Sequence, residues 1–232
     1  MKIFIDSGHN FSGCDTGAAA NGLYEQNVTF EIAKKLKELL LKGGHEVKMS
    51  RNYLEENIGR STSESLKKRC EMSNSWGADL FCSIHANAGG GKGTETYVYS
   101  QNSKAYDVAK RVQKAIVKKL KTADRGVKVN NSLAVIRGTK APAILVETAF
   151  IDNKEDAKKL RDNTYDFAMA IYEGITEKPA DKDVTEVLDI VYELAKRGII
   201  TNEKLWVEKL KEDSNSYWLV RKCAEYMIER NV

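Results

Sequence analysis

The first 177 residues alternate between short apolar runs and longer stretches in which apolar residues recur every three or four positions. Strand-like runs that alternate with helical periodicity predict an α/β fold, a mostly parallel twisted sheet with helices on both faces. The predicted strands are Lys2–Asp6, Glu46–Ser50, Asp79–His85, Thr94–Tyr99, Leu133–Ile136 and Ala143–Glu147. The predicted helices are Leu23–Leu41, Ser61–Trp76, Tyr106–Leu120 and Tyr165–Thr176.

The pattern changes after residue 177, so residues 1–177 are predicted to form one domain. Residues 178–183 are mostly charged and contain one of the two prolines, which is typical of a linker. Residues 184–232 return to helical periodicity with short turns and predict a small all-α C-terminal module. Gly198 fits the C-terminal cap of its first helix.

The chain has many charged residues of nearly balanced sign, with 37 basic and 33 acidic residues. The lysines are spread along helix faces, which argues against a nucleic-acid binder. The net charge of +4 would give weak attraction to an anionic cell wall. The N-terminus enters a strand at once, and no apolar segment is long enough for a signal peptide or a membrane span. We therefore expect synthesis in the cytoplasm without a signal peptide.

Cysteine spacing predicts no disulfide framework, because the four cysteines form no CxxC pair and no regular ladder. Cys82 lies in an apolar run and is interpreted as a buried thiol. Cys14 follows His9 by five residues, so a role as a metal ligand stays open, although a bystander thiol is the preferred interpretation.

Four short stretches place metal-binding or proton-transfer side chains at strand ends or a helix start. They are Ile5–His9, Tyr24–Glu25, Ser83–Asn87 and Leu145–Thr148. Because ligands bind at the carboxyl ends of strands in parallel α/β sheets, we predict that these side chains meet at one edge. Two imidazoles and one carboxylate, with a fourth position left to water, form a hydrolytic zinc site. A second carboxylate could then serve as the base.

Each of these residues taken singly has a structural interpretation as well. His9 could be a surface-loop histidine, and His85 could be a hydrogen-bonded core histidine. Glu25 lies in the first turn of a predicted helix, where the macrodipole favours an acidic side chain by ~0.3–1 kcal/mol. Glu147 ends an apolar strand, where a carboxylate is costly to bury without a partner. Their joint placement on one face favours the metal site.

These stretches resemble the zinc-dependent N-acetylmuramoyl-L-alanine amidases of the amidase-3 type. Ile5–His9, with Asp15–Ala18 and Glu25 downstream, is similar to the opening of that family. Ser83–Ala88 and Leu145–Asn153 are similar to its second and third signature stretches. The resemblance covers residues from about 1 to 175, in the family's order and spacing.

The resemblance implies that His9, Glu25 and His85 bind Zn²⁺ and that Glu147 is the catalytic carboxylate. Members of this family hydrolyse the amide between N-acetylmuramic acid and L-alanine in bacterial peptidoglycan. Glu95 matches an acidic strand position of the family and is interpreted either as structural or as a support for the site residues, not as a fifth catalytic or metal-binding residue. The chain resembles a phage or prophage endolysin, which implies release to the cell wall through holin lesions. An autolysin exported by another route is the alternative.

The C-terminal module carries four aromatic residues among lysines and arginines, namely Trp206, Tyr217, Trp218 and Tyr226. They would bind a cell-wall polymer or, equally, fill a small helical core or a homo-oligomer contact.

Two other functions stay open for the whole chain. One is a zinc peptidase that cuts within the peptidoglycan stem, and the other is a non-catalytic cell-wall-binding protein.

Overall fold

The computed structural model describes residues 1–180, 194–196 and 198. The chain divides into two compact units after Lys178. The strands, in chain order, are β1 (Lys2–Ser7), β2 (Ala19–Ala20), β3 (Leu23–Tyr24), β4 (Glu46–Met49), β5 (Leu80–Asn87), β6 (Thr94–Val98), β7 (Asp124–Val129) and β8 (Ala143–Phe150). The helices are α1 (Glu25–Lys42), α2 (Thr62–Trp76), α3 (Ala105–Leu120), α4 (Ala134–Gly138), α5 (Lys154–Asp162) and α6 (Thr164–Thr176).

Within residues 1–180 the main sheet has six strands in the order β4-β1-β5-β8-β6-β7. Every neighbouring pair is parallel except β6 and β8, which are antiparallel. β2 and β3 form a separate antiparallel pair just before α1. Because β1, β5 and β8 are parallel neighbours, their carboxyl ends lie at the same edge of the sheet.

Helices cover both faces of the sheet. On one face α2 and α4 pack over a core that includes Phe4, Phe81 and Leu145, with the rings of Phe4 and Phe81 stacked 5.7 Å apart. Side chains alternate along a strand, so Ile3 and Ile5 point to the other face. That face carries α1, α3 and α6, and α6 packs against both α1 and α3. The predicted α/β fold with a mostly parallel sheet is confirmed.

Three local predictions were wrong or incomplete. Of residues 133–136, predicted as a strand, Leu133 precedes α4 and the other three belong to it, because a short apolar run does not by itself distinguish a strand from a buried helical turn. The predicted helix from Leu23 begins two residues later, since Leu23–Tyr24 pairs with Ala19–Ala20 as β3. β7 and α5 were missed, because both are rich in charged residues and β7 is an edge strand.

Most of the predicted linker and C-terminal module, residues 178–183 and 184–232, lies outside the described residues. Residues 194–196 are helical, and Gly198 follows with a φ of 70°, the left-handed conformation that suits a helix C-terminal cap. No helix in the described part of the chain is long and apolar enough to cross a bilayer.

Candidate metal centre

His9 lies in the loop that follows β1, with its backbone in the left-handed region at a φ of 66°. Gly8 lets this loop approach β5 closely, because a Cβ at that position would lie 2.4 Å from the imidazole of His85. A larger residue at position 8 would therefore displace His85. Gly8 therefore permits the close approach of the His9 and His85 rings, whose centroids are 4.8 Å apart.

Glu25 begins α1, and its side chain turns into the protein rather than toward solvent. Its Oε2 accepts a hydrogen bond from the Ala18 amide at 2.9 Å, and its Oε1 accepts one from the Ala86 amide at 3.1 Å. Burial alone would raise the pKa of this carboxyl, but hydrogen bonds from His85 and His9 hold it well below its usual range. Glu25 thus has a fixed position between two imidazoles, which a purely macrodipole role would not require.

Gly17 makes room for that carboxylate. A Cβ at Gly17 would lie 2.7 Å from Glu25 Oε2 and 2.9 Å from His9 Cδ2. The loop before β2 therefore passes directly over the site, and a side chain at position 17 would displace both residues.

His85 completes a cluster in which three donor atoms converge. His9 Nε2 lies 3.0 Å from Glu25 Oε1, His85 Nδ1 lies 3.1 Å from the same oxygen, and the two nitrogens are 3.2 Å apart. Ligands about 2.0–2.1 Å from a tetrahedral zinc ion would be about 3.3 Å apart. The three residues therefore fit a small divalent ion that favours nitrogen and oxygen ligands. They form the one such group found in the described part of the chain.

Asp15 supports His9 from the opposite side of its ring. Asp15 Oδ1 lies 3.3 Å from His9 Nδ1, and Asp15 Oδ2 accepts a hydrogen bond from the Ser65 hydroxyl at 2.6 Å. Burial would lower the pKa of His9, but Asp15 and Glu25 together raise it to about 10. A carboxylate behind a metal-binding histidine fixes the tautomer and the ring orientation. Asp15 lies in a stretch that resembles the opening of the family, but its contact with His9 was not predicted.

Glu147 lies beside the cluster on the neighbouring strand, paired in register with His85. Its Oε2 is buried and has no hydrogen-bond partner among the described residues. Burial raises the pKa of Glu147 to about 7, and the nearby Glu25 and Glu95 contribute to the increase. An unpartnered carboxylate with a pKa near neutrality is suited to accept and return a proton.

The positions of His85 and Glu147 differ in one respect from the prediction. Neither residue ends its strand, because β5 continues to Asn87 and β8 continues to Phe150. A shift in the register between His85 and Asn87 marks the place where this pair of strands becomes irregular.

A cavity of about 350 Å³ opens over the cluster. His9, Glu25, His85 and Glu147 form its polar part, so the structure brings all four predicted residues to one site. The apolar wall includes Leu66, Leu133, Ala134, Val135 and Leu145. Much of that wall comes from α4 and the residue before it, which sequence analysis had assigned to a strand.

Two buried arginines hold the loop that carries His9. Arg69 donates to the backbone oxygens of Ser7 and His9, at 2.8 and 2.7 Å, and forms an ion pair with Asp6 at 2.6 Å. Arg51 donates to the Gly8 oxygen in this loop at 3.4 Å and to the Gln26 oxygen at the start of α1 at 2.6 Å. Sequence analysis missed Arg51, because one arginine after a short strand gives no signal of burial.

Cys14 lies near the site but does not join it. Its thiol accepts a contact from Asn10 Nδ2 at 3.8 Å and is not part of the metal-binding group of the described residues. Cys82 is buried in β5, as predicted, and burial raises the pKa of its thiol to about 12.

Comparison with known proteins agrees with this geometry. The chain is 40% identical over 168 residues to the N-acetylmuramoyl-L-alanine amidase CwlM of Bacillus licheniformis, which covers 71% of this chain and 62% of CwlM. It is 38% identical to the endolysin of Bacillus phage SPP1, over 75% of this chain and 65% of the endolysin. The chain thus spans somewhat less than two thirds of the length of these curated relatives.

The fold has solved counterparts. The crystal structure of N-acetylmuramoyl-L-alanine amidase from Clostridium difficile 630 superposes with a TM-score of 0.68 at 31% identity, covering 76% of this chain and 95% of that one. Residues 3–177 match the amidase-3 family of N-acetylmuramoyl-L-alanine amidases. This chain belongs to that family.

Proposed function

We propose that this protein is a zinc-dependent N-acetylmuramoyl-L-alanine amidase that hydrolyses bacterial peptidoglycan. The observation that carries the proposal is the convergence of His9, Glu25 and His85 within about 3 Å of one another, beside the unpartnered carboxylate of Glu147. Peptidoglycan is inferred as the substrate from family membership, because the relatives are named as N-acetylmuramoyl-L-alanine amidases or, in one case, as an endolysin. The wall is thus the proposed place of action.

The residues divide the chemistry between binding and proton transfer. His9, Glu25 and His85 would hold the metal, and Asp15 would keep the ring of His9 in position. When bound, Zn²⁺ supplies Lewis acidity that polarises the scissile carbonyl and lowers the pKa of a water molecule. The fixed carboxylate of Glu25, with two backbone amides as donors, keeps the ligand set rigid.

Glu147 would act as general base and then as general acid. Its carboxylate takes a proton from the attacking water, and the water oxygen bonds to the lactyl carbonyl carbon. When the C–N bond breaks, Glu147 returns the proton to the leaving amine of L-alanine. The products are a free lactyl carboxylate on muramic acid and a free stem peptide. The buried Oε2 of Glu147 suits both transfers, because it has no hydrogen-bond partner among the described residues and can accept and release a proton.

To test this proposal, purified peptidoglycan is digested with the protein, and the released fragments are identified by mass spectrometry. We expect fragments with a free L-alanine amine and an intact lactyl-muramate. Chelation should abolish their release, and added Zn²⁺ should restore it. Cleavage within the stem would instead show a peptidase, and wall binding without any fragments would show a non-catalytic binding protein. Either of these results would overturn the proposal.

A first prediction concerns Glu147→Gln. This substitution keeps the shape of the side chain and removes its basicity, so kcat should fall by about 10²–10⁴-fold. Zinc content should stay the same as in the wild-type protein, because Glu147 is not one of the three converging residues. Glu71→Gln, on an exposed part of α2, is the matched control and should retain full activity. Substantial residual turnover in Glu147→Gln would remove Glu147 from the base role.

Two further parts of the proposal concern delivery and targeting. Release through holin lesions is the route that similarity to a phage endolysin suggests. Residues 184–232 would bind a cell-wall polymer or form a homo-oligomer contact. Wall pull-down and sedimentation of the full chain, compared with residues 1–178, would separate these two roles of the C-terminal residues.

A further inference from the structure

A group of charged residues lies next to the catalytic edge of the sheet without belonging to the metal cluster. β6 pairs with β8 so that Glu95 stands opposite Glu147, and β7 lies on the far side of β6. From β7, Arg125 Nε reaches Glu95 Oε2 at 2.6 Å, and Lys128 Nζ reaches the same oxygen at 2.5 Å. Two cations thus share one carboxylate oxygen.

Glu95 is fully committed to this arrangement. Its Oε1 accepts hydrogen bonds from the Tyr97 hydroxyl at 2.6 Å and from Asn87 Nδ2 at 2.9 Å. The side chain of Glu95 is 3% exposed. Burial would raise its pKa, but Lys128, Tyr97 and Arg125 together lower it to about 2. Glu95 is therefore an anion at neutral pH, and it fixes the position of both cations.

The two cations keep binding capacity after this contact. The side chains of Arg125 and Lys128 are 36% and 38% exposed, in contrast to that of Glu95. Among the described residues, neither Nη group of Arg125 makes a hydrogen bond or an ion pair, and its guanidinium lies over the ring of Phe150 at 4.9 Å. With one Glu95 carboxylate against two cations, the group has a surplus of one positive charge.

The order of the strands sets the distance between the two cations on β7 and Glu147 on β8. β7 is two strands from β8, which corresponds to about 10 Å at ordinary strand spacing. Asn87 lines the cavity and also donates to Glu95, so the charged group adjoins the cavity. An extended peptide covers about 3.3–3.6 Å per residue. A peptide that starts at Glu147 and runs across β6 would bring its second or third residue to Arg125.

We propose that Arg125 and Lys128 form a subsite for a carboxylate of the stem peptide, borne by a residue shortly after L-alanine. This inference rests on the proposed function and names the part of the substrate that the enzyme recognises. Arginine suits the task, because its planar fork binds a carboxylate through two parallel hydrogen bonds. Glu95 is then a positioning residue, which binds both cations and also contacts Asn87 in the cavity wall.

The test uses the full chain and two synthetic muramyl peptides. One carries a free carboxylate on the residue after L-alanine, and the other carries a carboxamide there. Binding is measured by calorimetry on zinc-loaded Glu147→Gln, which prevents turnover, and hydrolysis is measured on the active enzyme. The carboxylate peptide should bind about tenfold more tightly than the carboxamide, a difference of about 1.4 kcal/mol.

Substitution should remove that preference. Arg125→Gln with Lys128→Gln should lower the affinity for the carboxylate peptide by about tenfold and leave the affinity for the carboxamide unchanged. Arg125→Lys keeps the charge and should retain part of the preference. Lys114→Gln removes an exposed charge from α3 and is the matched control, which should show no change.

The possible outcomes separate this inference from the proposed function. Equal losses with both peptides, or no loss with either, would overturn the subsite whether or not the enzyme cuts the amide. A carboxylate preference that persists in binding while the active enzyme cuts neither peptide would retain the subsite and reject the amidase activity.

Discussion

At the scale of single residues, His9 shows how a strained conformation is maintained. A non-glycine residue in the left-handed region costs of order 1–3 kcal/mol and persists only where its surroundings fix it. Here Arg69 Nη2 donates to the His9 oxygen at 2.7 Å, and the Asn10 amide donates to the Asp15 oxygen at 2.8 Å. The loop is thus closed on itself and bound to α2, so the imidazole projects toward Glu25.

A second prediction follows for Asp15→Asn. The amide cannot supply the negative charge that orients the ring of His9, so zinc affinity should fall by about 10–100-fold. A competitive titration against a chromogenic chelator would measure the change. Asp107→Asn is the matched control, because Asp107 is exposed on α3 and does not line the cavity. An affinity equal to that of the wild-type protein would show that Asp15 is dispensable for orienting His9.

The site residues could be named from the sequence, but their environment could not. His9, Glu25, His85 and Glu147 carry recognisable chemistry, and each lies at or next to the end of a predicted element. The burial of Arg51 and the unpartnered oxygen of Glu147 depend on tertiary contacts between distant segments. No local pattern encodes such contacts, so a sequence argument identifies the residues and leaves their pKa values undetermined.

At the scale of elements, α5 secures the loop that follows β5. Asp156 on α5 is buried, and its Oδ2 accepts hydrogen bonds from the amides of Gly93 and Phe150 at 2.6 and 3.1 Å. One carboxylate therefore joins the glycine-rich loop to the end of β8. Asp152 makes a similar contact with the amides of Gly89 and Gly90, at 2.7 Å each.

A third prediction concerns Asp156→Ala. The substitution leaves two buried amides without an acceptor, and each costs about 1–3 kcal/mol in the free energy of unfolding. Urea unfolding should show a loss of about 2–5 kcal/mol. Glu155→Ala, on the exposed face of the same helix, controls for the change in helix composition and should lie within about 0.5 kcal/mol of the wild-type protein. Equal losses for the two variants would contradict the anchoring role.

Sequence prediction failed at the elements whose structure depends on packing. Val135 and Ile136 are buried in α4 and cover the sheet beside α2, although their apolar run equally suits a strand. The strand β7 has a charged and polar sequence because none of its residues is fully buried at the edge of the sheet. Regular amphipathic elements were predicted more closely, with the ends of α3 correct to within one residue and those of α1 to within two, since their periodicity is local.

At the scale of the whole molecule, the proposed metal ligands connect three separate elements. His9 follows β1, Glu25 begins α1, and His85 lies in β5, so the ion would cross-link segments that are up to 76 residues apart. The buried polar framework behind them reaches further, because Arg69 on α2 pairs with Asp6 on β1. Ser83 on β5 donates to the same aspartate at 2.8 Å. Metal binding and folding are therefore expected to be coupled.

The last prediction measures that coupling. An ion that binds only the folded protein stabilises it by about 4 kcal/mol when free zinc is 1,000 times the Kd. At about 2–4 °C per kcal/mol for a domain of this size, the Tm should rise by about 8–16 °C.

His85→Ala should abolish the zinc-dependent increase, whereas Glu147→Gln should retain it in full, because only the first removes one of the three converging donors. The two variants thus separate metal binding from catalysis, since Glu147→Gln is predicted to be stabilised by zinc and yet inactive. If Tm were independent of zinc in the wild-type protein, His9, Glu25 and His85 would not be a metal site, and the close packing of two imidazoles on one carboxylate would need a different explanation.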